Sequence, residues 1–162
     1  MSDSSVVRKA VAADLPAAAQ LAGALVRMHH EHDRDRFFLP DGVEQGYAWW
    51  FERELARAGA VILVSERGGA ITGYAYGTLE ERDWNLLLDE HAAIHDIYVA
   101  PDERRRGTGL QLLDALVTEL ERLGAKRLLL STMVDNERAQ RLFRKVGFRP
   151  TMLEMTRERT PG

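Results

Sequence analysis

Residues 94–123 read as a strand, a tight basic turn and a helix in immediate succession. Ile94, Ile97, Tyr98 and Val99 make an apolar, largely β-branched run interrupted by His95 and Asp96. Pro101 closes it, because proline has no N–H to give to a ladder. Arg104, Arg105, Arg106, Gly107, Thr108 and Gly109 follow, and a helix is predicted from about Leu110. In that helix Leu112, Leu113, Leu116, Leu120 and Leu123 recur at three- and four-residue spacing, so one face is buried. Gly124 is the stop. A strand feeding straight into an amphipathic helix restricts the chain to the α/β or α+β classes.

The junction has specific physics. The first turn of a helix carries backbone N–H groups without partners and the positive end of the macrodipole. Two glycines ahead of it let a bulky anion approach the backbone, and three arginines add positive charge. The pattern suits a pyrophosphate cradle, although a solvated basic turn is an equally good reading of the glycines taken alone. The chain has no G-x-x-x-x-G-K-[ST], and Leu110, Gln111 and Leu112 after Gly109 exclude G-x-G-x-x-G.

A second element decides between them. Asn136, Ala139, Leu142, Phe143, Lys145, Gly147 and Phe148 stand in the order N-x-x-A-x-x-L-F-x-K-x-G-F, about thirty residues after R-x-x-G-x-G, with a strand between. Together the two resemble the signature regions of the GCN5-related N-acetyltransferase (GNAT) superfamily. The resemblance covers residues 91–149 closely and the N-terminal half in outline. It implies one domain over residues 1–162: an α/β (α+β) fold with a mixed central sheet and helices on both faces.

The other elements are read from pattern. A strand is expected at 6–11, then a helix from Asp14 and Pro16 to about Met28, an irregular charged stretch at 29–41, and a helix at 43–57. Strands at 60–66 and 70–79 are joined through Gly68-Gly69, a two-residue hairpin signal. After a charged connection at 80–90 and the central unit come a strand at 127–133, a helix ending at Gly147, a last strand at 151–156 and a tail at 157–162. The predicted order is β-α-α-β-β-β-α-β-α-β.

The resemblance also implies a chemistry. Acetyl-coenzyme A would be the co-substrate, its acetyl group passing directly to a primary amine of a small molecule or protein. Arg105, Arg106, Gly107, Thr108, Gly109 and Leu110 would offer backbone to the pyrophosphate. Main-chain groups of Ile97, Tyr98 and Val99 would pair with the pantetheine arm. Asn136 would hydrogen-bond the cofactor, Phe143 would sit beside the thioester, and Arg104, Arg106 or Arg138 would meet the 3′-phosphate. The attacking amine must be neutral, so an ordinary amine of pKa near ~10 has to lose a proton on the enzyme. Asp96 and His95 are the candidate bases. Strand alternation would point them to opposite faces, leaving at most one well placed. Asp96 is favoured because an acidic residue recurs there in the family; Glu31, His32, Glu80 and Glu81 are weaker candidates. Many relatives have a tyrosine where this chain has Phe143, and that hydroxyl protonates the departing thiolate. Phenylalanine cannot do so. A second reading is therefore a catalytically weak acyl-coenzyme A-binding sensor or interaction module.

In such a fold the acceptor wall would include the stretch with Glu31, His32 and Phe37, and Trp84 would overhang the substrate side as a lid or surface anchor. Trp49, Trp50 and Phe51 read more readily as core than as a ligand platform. His29, His30, His32 and Asp33 match no zinc spacing, so no metal is expected. The net charge of −3 and the lack of aromatic interleaving argue against nucleic acid, and no apolar run of membrane-spanning length occurs. The chain has no cysteine, which fits a reducing cytoplasm, and residues 1–5 are polar with no leader core. A homodimer is a common arrangement in the family.

Overall fold

The computed structural model describes residues 4–162, so part of the polar leader at 1–5 lies outside the described residues. The elements are β1 (Val6–Lys9), α1 (Leu15–His32), α2 (Val43–Leu55), β2 (Ala60–Arg67), β3 (Ala70–Glu80), β4 (His91–Val99), α3 (Thr108–Arg122), β5 (Leu128–Leu130) and α4 (Glu137–Lys145). Short 3₁₀ turns at Ala12–Asp14 and Pro101–Glu103 lead into α1 and out of β4. The five strands form one mixed sheet in the order β1-β2-β3-β4-β5, antiparallel except for the parallel pair β4–β5.

Alternation assigns the two faces. Ile62, Val64, Tyr74, Tyr76 and Tyr98 point to the side covered by α1 and α2, where they pack with Leu15, Ala18, Ala22, Leu25 and Phe51. Val61, Leu63, Ala75, Ala92 and Ile94 point to the other side, against Leu112, Leu113, Leu116 and Leu120 of α3. The leucine stripe of α3 is thus buried as its period requires.

The feature that positions the site is a bulge. Tyr76 pairs with Asp96 but Gly77 pairs with Ile94, so His95 is an extra residue in β4. Ala92 and Ile94 face α3, whereas Tyr98, two residues past Asp96, faces α1 and α2. The phase of the strand reverses at His95. Gly77 lies opposite, where an added Cβ would stand 3.0 Å from the Ala93 carbonyl oxygen and 3.0 Å from Leu120 Cδ1. β5 pairs with β4 only through Ala92, Ala93 and Ile94. Beyond the bulge the two strands part.

Three of the expected strands come out differently. β1 stops at Lys9, and β5 shrinks to three residues where a strand over 127–133 was expected. No strand forms at 151–156: Met152, Leu153 and Met155 are exposed, and no ladder partner reaches them. A strand requires a neighbouring edge to complete its hydrogen bonds, and apolar alternation cannot supply one.

Candidate active site

Two features meet around the end of β4. The first is a groove. Ile97, Tyr98 and Val99 pair with Ala75, Tyr74 and Gly73 on one side, while the other side lacks a strand because β5 ends at Leu130. Just beyond, Gly107 is the N-cap of α3 at φ 81°, a left-handed conformation that favours glycine. An added Cβ would meet nothing within 4 Å, so backbone conformation, not crowding, calls for glycine here. The first intrahelical bond runs from the Gln111 N–H to the Gly107 carbonyl at 3.0 Å. With no side-chain cap, the amides of Thr108, Gly109 and Leu110 remain open. Thr108 Oγ1 is the one buried side-chain polar atom without a partner among the described residues.

The arginines divide their duties. Arg104 turns back: its Nε donates to the Val99 carbonyl at 3.1 Å, and its guanidinium lies 5.3 Å from the centre of the Tyr98 ring. It thereby takes one acceptor position on the open edge. Arg105, at φ 64°, and Arg106 are exposed. Glu103 holds Arg67 at 2.8 Å and lies 4.0 Å from Arg106. Asn136 caps α4, its Oδ1 accepting from the Ala139 N–H at 3.1 Å, which leaves its amide NH₂ for other duty. Phe143, one side of α4, packs against Phe148 at 6.2 Å between ring centres. Arg138 is exposed on the same helix.

The second feature is a cavity of about 490 Å³ on the α2 side of the sheet, bounded by 40–43 of the α1–α2 connection, Tyr47 and Trp50 of α2, Tyr76 and Thr78 of β3, and His95 and Asp96. Asp96 opens to the cavity yet is packed by protein, and this burial pushes its carboxyl up to about 6. The Tyr74 hydroxyl donates to Asp96 Oδ2 at 3.1 Å and partly opposes that rise. His95 Nε2 lies 2.7 Å from Thr78 Oγ1, and Thr78 donates to Glu80. With the threonine proton committed to Glu80, Nε2 is the protonated nitrogen of a neutral ring, and burial lowers the pKa of His95. Both His95 and Asp96 line the cavity. The expectation that only one would be well placed is overturned, because the bulge removes the alternation on which it rested.

A sequence model described as the acetyltransferase (GNAT) family matches residues 25–148. The chain belongs to the GNAT family. The L-amino acid N-acyltransferase MnaT of Escherichia coli (strain K12) is 34% identical over 103 residues, 62% of this chain and 56% of that protein. An L-methionine sulfoximine/L-methionine sulfone acetyltransferase of Salmonella typhimurium is 33% identical over 106 residues, 64% of this chain and 58% of the relative. The chain therefore spans little more than half the length of the curated relatives it matches. Among solved structures, a GCN5-related N-acetyltransferase from Ralstonia eutropha JMP134 superposes with a TM-score of 0.73 at 25% identity, covering 96% of this chain and 98% of that one. The aminoglycoside N-acetyltransferase AAC(6′)-Iy in complex with CoA gives 0.78 at 18% identity, covering 98% and 97%.

Within this GNAT fold the expected acceptor residues are not gathered into the cavity. Glu31 is exposed, and His32 pairs with Asp135 at 3.1 Å. Phe37 stacks on His29 at 4.9 Å with Arg36 over its ring. Helix α1 runs on to His32, four residues past the predicted stop, and none of Glu31, His32 and Phe37 lines the cavity. Trp84 is 75% exposed and borders a separate hollow of about 280 Å³. Its loop closes on itself through paired backbone bonds between Asp83 and Leu88, and Trp84 does not line the cavity beside Asp96. The residues the sequence reading missed are Tyr47, Trp50 and Tyr76. Of the three aromatics on α2 expected to be core, only Phe51 is buried; Trp50 is 42% exposed and gives its Nε1–H to the Tyr76 hydroxyl at 3.2 Å. The spacing of Tyr47, Trp50 and Phe51 signals one helix face, but not that this face straddles the rim of a hollow. Among the described residues no cluster could hold a metal ion, and no helix is long and apolar enough to cross a membrane.

Proposed function

We propose that this protein is an acetyl-coenzyme A-dependent N-acetyltransferase that transfers an acetyl group directly to a primary amine. One observation carries the reading: the bulge at His95 opens an edge of β4 toward the helix α3 terminus and presents Asp96 to a cavity at the same point. The residues fit the co-substrate. The amides of Thr108, Gly109 and Leu110, with Gly107 as an uncapped left-handed lead-in, suit a pyrophosphate, and Arg105, Arg106 and Arg138 are exposed and available to further phosphate. The open edge at Ile97 suits an extended amide-bearing arm, and the Asn136 NH₂ and Phe143 belong to helix α4 and its cap. When bound, acetyl-coenzyme A supplies an activated acetyl group on a thiol of pKa near ~8.5, a tolerable leaving group without acid help.

Asp96 is the base. Its carboxylate accepts the proton that an ammonium must lose before the nitrogen can attack, and Tyr74 holds the carboxyl in orientation. A carboxyl titrating at about 6 is mostly ionised at neutral pH and is a stronger base than a solvated one. Phe143 has no proton to give. The acceptor is a small molecule in preference to a polypeptide, because the cavity is bounded by α2 and the α1–α2 connection.

Calorimetric titration with acetyl-coenzyme A, with adenosine diphosphate as control ligand, tests the cradle. Saturable binding that requires the pantetheine arm is expected. Gly107→Glu should abolish it, since the side chain is strained at φ 81° and its charge repels the phosphates. Unchanged affinity in that variant would remove the assignment.

A further inference from the structure

We propose that the cavity beside Asp96 takes a cationic amine on an apolar or aromatic body and discriminates against amines that bear a carboxylate. The proposal rests on the reading of this cavity as the acceptor site. Its charges are one-sided. Asp41, Glu80 and Asp96 are its acidic members, and Asp41 has no ion pair among the described residues. Arg57 and His95 are the basic ones. Arg57 is already committed: its guanidinium donates to Glu54 Oε2 at 3.3 Å and to the Leu79 carbonyl at 3.1 Å. Glu54 is itself buried, with the Tyr76 hydroxyl donating to it at 2.5 Å. The charge of Arg57 is thus already offset by a buried acid, which weakens what it can offer an incoming carboxylate. His95 spends its Nε2–H on Thr78, and a neutral ring offers no second cation.

The walls agree with the charges. Tyr47, Trp50 and Tyr76 supply ring surface that favours a cation and its hydrocarbon body alike. Trp50 and Tyr76 are fixed by their mutual hydrogen bond and by Glu54, so the surface is preformed. An amino acid acceptor, as named for the relatives, would bring a carboxylate into a setting where Asp41, Glu80 and Asp96 outnumber the one cation, Arg57. A monoamine or diamine brings only charges that Glu80, Asp41 and Asp96 attract. Glu80 and Trp50 are therefore the specificity-determining residues.

Two matched pairs isolate the carboxylate: phenethylamine against L-phenylalanine, and cadaverine against L-lysine. Each is measured twice, as acetylation rate with acetyl-coenzyme A and as binding to the protein saturated with coenzyme A. The amines should exceed their carboxylated partners at least about tenfold in kcat/KM and in affinity, a difference of about 1.4 kcal/mol. Glu80→Gln should weaken cadaverine binding about tenfold while affinity for acetyl-coenzyme A is unchanged, and Trp50→Ala should weaken phenethylamine. Acetylation that favours L-phenylalanine or L-lysine overturns the proposal and leaves the transferase reading standing. Amines that bind selectively without being acetylated support the proposal and sink the transferase reading instead. Equal binding of both members of each pair, or of none, overturns it.

Discussion

At Asp96 the proposed chemistry and stability pull in opposite directions. Its folded-state carboxyl titrates near 6, above the unfolded value of 3.8, so the fold favours the neutral form. The stabilisation is complete below pH 3.8 and is lost as pH rises through 6. Asp96→Asn, which keeps an acceptor for the Tyr74 hydroxyl, should therefore be more stable than the parent at pH 8 by about 3 kcal/mol, with the gap closing by pH 4. Denaturant unfolding at the two pH values checks this. The same variant should lose roughly 10²- to 10⁴-fold in kcat at little cost in acetyl-coenzyme A affinity. Tyr74 acts through Asp96, since its donated hydrogen bond favours the carboxylate. Tyr74→Phe should therefore move the acidic limb of the pH–rate profile to higher pH; a limb that stays put would mean that the base lies elsewhere. Asp96 became a candidate through the family resemblance, which puts an acidic residue at that point of the strand. Tyr74 did not, because its partner lies on another strand, twenty-two residues away.

The β3–β4 pair is the element on which the site depends. Gly77 faces α3 opposite the bulge, and a methyl group there would press on both the Ala93 carbonyl and Leu120. Gly77→Ala should destabilise the protein by about 1–3 kcal/mol, read from thermal or denaturant unfolding, because backbone on one side and a packed leucine on the other both have to give. Removing His95 from the chain should cost more than stability. Without the extra residue Asp96 would shift register against Tyr76, β4 would regain its alternation, and acetyl-coenzyme A binding should fall at least about tenfold in calorimetry. The glycines and arginines around α3 were readable because a helix start has the same orphan amides in any context. The bulge was not: His95-Asp96 looks the same in sequence whether the strand is regular or kinked, and only pairing with Gly77 decides.

At the scale of the whole molecule, two apolar faces of one sheet hold the fold, and residues beyond Phe148 add little to either. Removal of residues 151–162 should shift the melting temperature by no more than about 2 °C, since the one side-chain tie there among the described residues, Arg36 to Glu154, is an exposed ion pair. A larger drop would mean that the segment pairs as a strand in solution. The amino-acid sequence by itself determined the helices, the β2–β3 hairpin, the glycine-led start of α3 and the family, because each rests on local spacing: a leucine stripe, a Gly-Gly turn, a glycine lead-in, a motif of fixed length. Tertiary structure alone decided three things. It brought His95 and Asp96 to one cavity through a bulge, it placed Trp50, expected in the core, at the cavity rim, and it left 151–156 without a strand neighbour. Each of these depends on what stands opposite a residue across the sheet or the cavity, and that partner lies far along the chain.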